Sequence, residues 1–157
     1  MKLLLVSPYQ RIGRKRLRAI TIPQLGLHIL ASLTPDDVDL TVVDEEIREI
    51  DFSSDFDLVG ISCMTATANR SYQLSDIFRQ RGSKVVLGGI HPTILPQEAI
   101  QHADAVVIGE AKAVGRMSSM ILKRERSRNS TMYRNLIFQR FLSQGGIFIS
   151  TRRSLTV

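Results

Sequence analysis

The residues whose types could support chemistry lie in short loops that follow apolar runs. They are Ser62, Cys63, Met64, Thr65, Gly88, Gly89, His91, Gly109 and Glu110. The run "VVLGG" ends in two adjacent glycines, which indicate either a turn or a place where a ligand comes close to the backbone. The chain contains no recognisable acid–base pair or activated nucleophile, so these residues predict a binding site rather than a complete catalytic centre.

The three histidines and the single cysteine offer little metal or redox chemistry. His28 is expected in a helix as a flanking or buried residue, and His102 is expected to be solvated. His91 precedes a proline in a turn, which favours a structural role over metal ligation. Cys63 is expected to be a small buried residue. One cysteine can form neither an intramolecular disulfide nor a zinc or iron–sulfur cluster site, so a reducing cytoplasm is the expected location.

Composition and missing motifs narrow the class of protein. With 157 residues, 43% hydrophobic and 23% charged, the chain is expected to form one soluble domain with a core. No apolar run approaches the roughly 18–20 residues that cross a bilayer. Neither G-x-G-x-x-G nor a P-loop is present. A response-regulator receiver is excluded because Ser7, Pro8 and Ser62 stand where its acidic residues belong.

Five apolar runs must position the candidate residues. They occupy residues 2–7, 39–44, 57–62, 84–89 and 104–109, and they lack polar alternation, which is typical of parallel strands covered on both faces. Helices are predicted between them at 21–33, 67–82 and 95–103, with a single helical turn within 45–56. The expected fold is therefore an α/β sheet wound with helices on both sides.

The helical patterns also predict which side chains face the core. In the first helix these are Ile22, Leu25, Gly26, Ile29 and Leu33, with a capping box formed by Thr21 and Gln24. In the second they are Leu74, Ile77 and Phe78, with Gly82 ending the helix. Ligands of such sheets bind beyond the C-terminal strand ends, in this chain at residues 8–20, 62–67, 88–93 and 109–111.

The segment "DLVGISCMTATANRSYQLSDIFRQRGSKVVLGGIHPTILPQEAIQHADAVVIGEA" resembles the N-terminal cobalamin-binding domain of cobalamin-dependent radical SAM enzymes. The resemblance covers about residues 2–111 and includes "LLLVSP" and "PQLGLHILASL". It implies a flavodoxin-like, Rossmann-like three-layer fold with a five-stranded parallel sheet of order 2-1-3-4-5. It also implies that cobalamin is the cofactor and that the parent reaction is a methyl transfer or a cyclisation.

The resemblance assigns roles to individual residues. Gly88 and Gly89 match a Gly-Gly element beside the nucleotide tail of cobalamin, and Ser62 and Met64 match a Ser-x-Leu element with Met in place of Leu. Ser62 would offer its hydroxyl to the nucleotide base. Many relatives carry a cobalt-ligating His after the first strand, but residues 8–20 contain none. The implied state is therefore base-off and His-off.

Charge divides the chain unevenly. Residues 1–111 contain 11 Lys and Arg against 14 Asp and Glu, whereas residues 112–157 contain 10 against a single acid, Glu125. We expect a cobalamin-binding-like domain at 1–111, followed by a basic helix or tail at 112–157. The tail is either out-of-frame or non-family sequence from a truncated enzyme, or a genuine partner-binding segment. No C-x-x-x-C-x-x-C motif is present, so this chain alone cannot cleave S-adenosylmethionine reductively.

The sequence is compatible with two functions. The first is a cobalamin-binding module that works with a separate radical SAM or other protein partner. The second is an interaction domain that has lost cobalamin and binds a protein or nucleic acid through its basic segments, among them a cluster in the loop after the first strand. That cluster comprises Arg11, Arg14, Lys15, Arg16 and Arg18. It reads equally as a clamp over the cofactor phosphate or as a solvated loop, and nucleic acid is less favoured because no aromatic residues interleave with it.

Overall fold

The computed structural model describes residues 1–9 and 25–109 and, as backbone only, residues 148–150. The strands are β1 (Lys2–Ser7), β2 (Asp39–Asp44), β3 (Leu58–Ser62), β4 (Lys84–Gly88), β5 (Ala105–Val107) and β6 (Phe148–Ser150). The helices are α1 (Leu25–Ser32), α2 (Ala68–Gln80), α3 (Ile90–Ile94) and α4 (Pro96–His102), with a 3-10 turn at Thr65–Thr67. No helix among the described residues is long and apolar enough to cross a membrane.

The predicted sheet is confirmed. Strands β1 to β5 are parallel in the order 2-1-3-4-5, and β6 adds an antiparallel edge beside β5 that the sequence did not predict. In the central strands Val6 pairs with Ile61, and Ser62 pairs with Gly88. The order reverses between β1 and β3, so the ligand crevice is expected beyond the ends of these strands.

Helices cover both faces of the sheet because alternate side chains of β1 point in opposite directions. Leu3 and Leu5 pack with Leu27 of α1 and with Val38. Leu4 and Val6 belong to the larger core on the other face, where α2 and α4 contribute apolar side chains. That larger core includes Leu74, Phe78, Ala99 and Ile100. The α/β flavodoxin-like architecture thus has its two helical layers.

The predicted core face of α1 is wrong. Leu25, Ile29 and Leu33 are 70%, 40% and 43% exposed. Leu27 is buried instead, and Leu30 and Ala31 pack beside it. Positions 27, 30 and 31 also follow the i, i+3, i+4 spacing, so two apolar stripes compete on this helix and contact with β1 selects the second. Ile22 and the predicted capping box lie outside the described residues.

Two smaller predictions also need correction. In α2, Leu74 and Phe78 are fully buried, but Ile77 is 36% exposed because the buried stripe is centred on Ser71 and Ser75. The loop after Gly89 contains α3, which was not predicted as a helix. The single helical turn predicted within 45–56 is present at the start of that segment, where the carbonyl of Asp44 accepts the N–H groups of Ile47 and Arg48.

Candidate functional site

The C-terminal ends of β3 and β4 bring two of the predicted loops into direct contact. The N–H of Cys63 donates to the carbonyl of Gly88 at 2.7 Å, and the N–H of His91 donates to the carbonyl of Cys63 at 3.2 Å. The backbone of Cys63 therefore joins the two loops. Its side chain is fully buried, as predicted, and burial raises the pKa of its thiol.

The two glycines at the end of β4, Gly88 and Gly89, have different surroundings. Gly89 has a φ of +106°, and a Cβ there would lie 2.7 Å from the carbonyl oxygen of Cys63. Only glycine satisfies both conditions, so the loop itself requires Gly89. A Cβ on Gly88 would meet only the Cβ of Val107, at an ordinary 3.5 Å. The structure of the loop therefore does not itself require glycine at position 88.

Gly88 belongs to a row of small residues on the α1 side of the sheet. Along β3 the side-chain positions alternate between Val59 and Ile61, which are buried, and Leu58, Gly60 and Ser62, which are partly exposed. A central strand of a wound sheet is normally covered on both faces. We call the row formed by Gly60, Ser62 and Gly88, beside the buried end of β1 at Ser7, the small-residue groove.

The loop after β3 directly follows Ser62, at the end of the small-residue groove. Met64 is 42% exposed there, and Thr65 is exposed beside it. The hydroxyl of Thr67 fixes this turn because it accepts the N–H of Met64 and donates to its carbonyl, both at 3.2 Å. Met64 and Thr65 thus lie on a short hydrogen-bonded turn, and both residues are exposed.

Thr93 connects the glycine pair to the loop after β5. Its hydroxyl donates to the carbonyl of Gly89 at 2.7 Å and accepts the N–H of Gly109 at 3.0 Å. Gly109 has a φ of +92° and open space around it. Sequence reasoning missed Thr93, although a hydroxyl four residues after a loop glycine is a recognisable signal for such a bond. Glu110 lies outside the described residues.

A polar cluster lies behind the edge, on the α2 and α4 side of the sheet. His91 is 5% exposed, with Nε2 2.9 Å from the hydroxyl of Tyr72 and Nδ1 3.4 Å from Oγ1 of Thr65. The hydroxyl of Tyr72 donates to Oε1 of Glu98 at 3.0 Å. Tyr72 and Glu98 were not predicted as site residues because α2 and α4 meet only in the folded chain. His91 is thus a satisfied buried histidine.

Of the other two histidines, only His102 departs from its prediction. His102 is only partly exposed: its ring stacks on Tyr72 with centroids 4.2 Å apart, and Nδ1 lies 3.2 Å from Oδ2 of Asp76. It was expected to be solvated, but contact with α2 covers it. His28 lies within α1 and is exposed, which agrees with the flanking position predicted for it. No cluster of three or more candidate metal ligands occurs within residues 1–9 and 25–109.

A second cleft of about 520 Å³ lies beyond the ends of β1 and β2. It is lined by Tyr9, Glu45, Glu49, Ile50, Phe52, Asn69, Arg70 and Gln73. Arg70 forms a bidentate ion pair with Glu45, in which Nη2 donates to Oε1 at 2.6 Å and Nε donates to Oε2 at 3.1 Å. This bond raises the pKa of the Arg70 guanidinium. The ion pair fixes the start of α2 against the end of β2.

The fold defines a class: a wound α/β domain whose ligand crevice is expected beyond the C-terminal ends of its parallel strands. The chain belongs to the B12 binding domain family, whose model matches residues 18–116. Cobalamin is accordingly its cofactor. Ser62 and Gly88 fit this assignment because both are small and partly exposed at the paired ends of β3 and β4, whereas Gly60 is small because a Cβ there would meet Cδ2 of Leu5 at 2.9 Å.

Curated relatives agree with this family. A bacteriochlorophyllide d C-8(2)-methyltransferase of Chlorobaculum tepidum is 46% identical over 88 residues, covering 55% of this chain and 20% of the relative. A C-12(1)-methyltransferase of the same organism is 35% identical over 99 residues, 61% of this chain and 21% of the relative. An uncharacterized methyltransferase of Pyrococcus horikoshii is 33% identical over 125 residues, 71% and 27% respectively. The chain spans about a fifth to a quarter of their lengths.

Proposed function

We propose that this chain is the cobalamin-binding module of a methyl-transferring enzyme of the radical SAM type. The observation that carries the proposal is the small-residue groove on a central strand, bordered by loops of the matched family region. The methyltransferase relatives support the reaction class. Bound cobalamin would supply a cobalt centre able to carry a methyl group, and the residues of this chain would hold and orient it.

The proposed binding residues divide by location. Gly88 and Ser62 receive the nucleotide tail, with the Ser62 hydroxyl pairing a polar atom of the base that would otherwise be buried without a partner. The backbones of Cys63, Gly89 and His91 hold the two loops together. The remaining proposed residues, which face the corrin ring at the sheet edge, are Met64, Thr65, Gly109 and Glu110.

We propose further that cobalt receives no imidazole from this chain. The loop 8–20 contains no histidine. The imidazole of His91 is buried between Tyr72 and Thr65, on the sheet face opposite the groove. The cofactor would accordingly be bound base-off and His-off, with Ser62 and Gly88 holding its nucleotide tail.

The catalytic partner of the module would bring the iron–sulfur cluster. With one cysteine the chain cannot hold such a cluster, so a separate radical SAM protein or segment is the proposed partner. Residues 1–111 form the proposed binding unit and residues 112–157 a basic tail, in a protein of the reducing cytoplasm. The charge of the tail also supports the alternative of an interaction domain that lacks cobalamin.

Incubation with hydroxocobalamin, followed by desalting and a visible spectrum, tests the proposal. Retained colour with a base-off spectrum is the expected result. A colourless protein would overturn the cobalamin function for this chain. Salt-sensitive retention of RNA or DNA by that colourless protein would establish the alternative instead.

A further inference from the structure

The polar cluster behind the sheet edge has a defined direction of hydrogen bonding. Four side chains form it in sequence: Thr65, His91, Tyr72 and Glu98. Thr65 is exposed on the turn after β3, whereas His91 is 5% exposed and Glu98 lies half exposed on α4. The cluster therefore links an edge residue of the proposed cofactor site to a carboxylate on the far helical layer.

The carboxylate of Glu98 determines the donor-to-acceptor direction of the hydrogen bonds in the cluster. An ionised carboxylate only accepts hydrogen bonds. Hydrogen bonds from Tyr72 and then from His91 lower the pKa of Glu98, so it is ionised at neutral pH. Burial and the bond to Glu98 raise the pKa of Tyr72, so its hydroxyl keeps its proton and donates it to Glu98 at 3.0 Å.

The hydrogen bond from Tyr72 to Glu98 also determines which nitrogen of the His91 imidazole carries a hydrogen. With its proton committed to Glu98, the Tyr72 oxygen can only accept from His91, and Nε2 at 2.9 Å must carry the hydrogen. The contact between Nε2 and Oε1 of Glu98, at 3.4 Å, requires the same hydrogen. A neutral imidazole protonated at Nε2 has a bare Nδ1, and this atom faces Oγ1 of Thr65.

We propose that His91 is a positioning residue that turns the Thr65 hydroxyl inward, so that Thr65 presents only acceptor lone pairs to the ligand. The matching ligand group is an amide N–H donor, and cobalamin carries carboxamide side chains around its corrin ring. The inference rests on the proposed function, since it names a contact within the same site. It assigns His91 an action through Thr65 and not a direct contact with cobalt.

The protonation state of His91 can be measured without the cofactor. Nitrogen-15 spectra of histidine-labelled full-length protein at neutral pH distinguish the two neutral tautomers from the imidazolium. The signals that disappear in His28→Asn and in His102→Asn assign the three histidines, and the tautomer of His91 is then determined in wild type because His102 stacks on Tyr72. The expected result is protonated Nε2 with bare Nδ1. A hydrogen on Nδ1, in either the neutral or the charged ring, would overturn the proposal.

A double-mutant cycle measures whether His91 acts through Thr65. Thr65→Val should weaken hydroxocobalamin binding about fivefold, the worth of one hydrogen bond, whereas Thr65→Ser should retain affinity. His91→Phe keeps the ring volume and should give a similar loss. In the Thr65→Val background it should add nothing. Additive losses would mean that His91 only supports packing, and equal affinities for Thr65→Val and wild type would refute the amide contact.

The outcomes separate this inference from the function on which it rests. A wild-type protein that binds no hydroxocobalamin overturns the proposed function. Binding by wild type with the wrong tautomer or with additive losses overturns only the role of His91. If His91→Phe fails to fold, the spectra and the comparison of Thr65→Val with Thr65→Ser still decide the matter.

Discussion

The hydroxyl of Thr93 lies 2.7 Å from the carbonyl oxygen of Gly89 and donates a hydrogen bond to it. Because the same hydroxyl accepts the N–H of Gly109, one side chain joins the loops after β4 and β5. Thr93→Val keeps the shape but removes both bonds and should lower the free energy of unfolding by about 1 kcal/mol. Urea denaturation checks this, with Thr93→Ser expected to stay close to wild type. An unchanged stability for Thr93→Val would show that the bridge is dispensable.

Gly89→Ala should destabilise the fold more than Gly82→Ala does. Both glycines have positive φ values, +106° and +89°, but only Gly89 faces a close neighbour, the carbonyl of Cys63. The conformational cost alone is about 1–2 kcal/mol, which Gly82→Ala should show. Gly89→Ala should exceed it because the loops must also move apart. Equal losses in denaturant unfolding would mean that the loop shifts freely to accept a Cβ.

Stability should decline in acid partly through Glu98. Its folded-state pKa lies below the ordinary value of 4.5 because Tyr72 and His91 bond to the ionised form. Its contribution is therefore present above the unfolded pKa and is lost as the pH falls through the folded one. Glu98→Gln should flatten the acid side of the stability curve, while Glu46→Gln, a substitution outside the cluster, should leave it unchanged. Identical acid slopes for the two variants would contradict the bond to Tyr72.

Cys63 should react slowly with a thiol reagent in the folded protein. Its side chain is fully buried, and burial raises its pKa, so little thiolate is available at pH 8. An aromatic disulfide reagent should release its coloured thiolate only as fast as the protein unfolds, locally or globally, and exposes Cys63. In urea it should reach one equivalent at once, since the chain has a single cysteine. Full reaction of the native protein within the mixing time would show that the loops at the edge open readily.

The sequence predicted those features that depend on local apolar runs. All five parallel strands and their order were anticipated, and the loops that meet at Ser62 and Gly88 were named correctly. Apolar periodicity failed on α1, where two stripes satisfy the same spacing and only the contact with Leu3 and Leu5 distinguishes them. Nor could it reveal that Gly89 is required by the carbonyl of Cys63.

The polar cluster escaped prediction for a physical reason. Tyr72 and Glu98 are 26 residues apart and meet because α2 and α4 pack on the same face of the sheet. Nothing in the local sequence around either residue marks a hydrogen-bond partner. His91 was recognised as a loop residue with a favoured structural role, but its burial and both of its partners emerge only from the tertiary fold.

The most direct test of the cobalamin groove is an equilibrium titration of hydroxocobalamin against wild type, Gly88→Ala and Gly88→Val. A Cβ at this position meets Val107 at an ordinary 3.5 Å, so alanine should fold and bind. Valine would add two more methyl groups within the groove and should weaken binding about tenfold or more, with urea denaturation establishing that both variants are folded. Equal affinities for the three folded proteins would show that the cofactor does not occupy this groove.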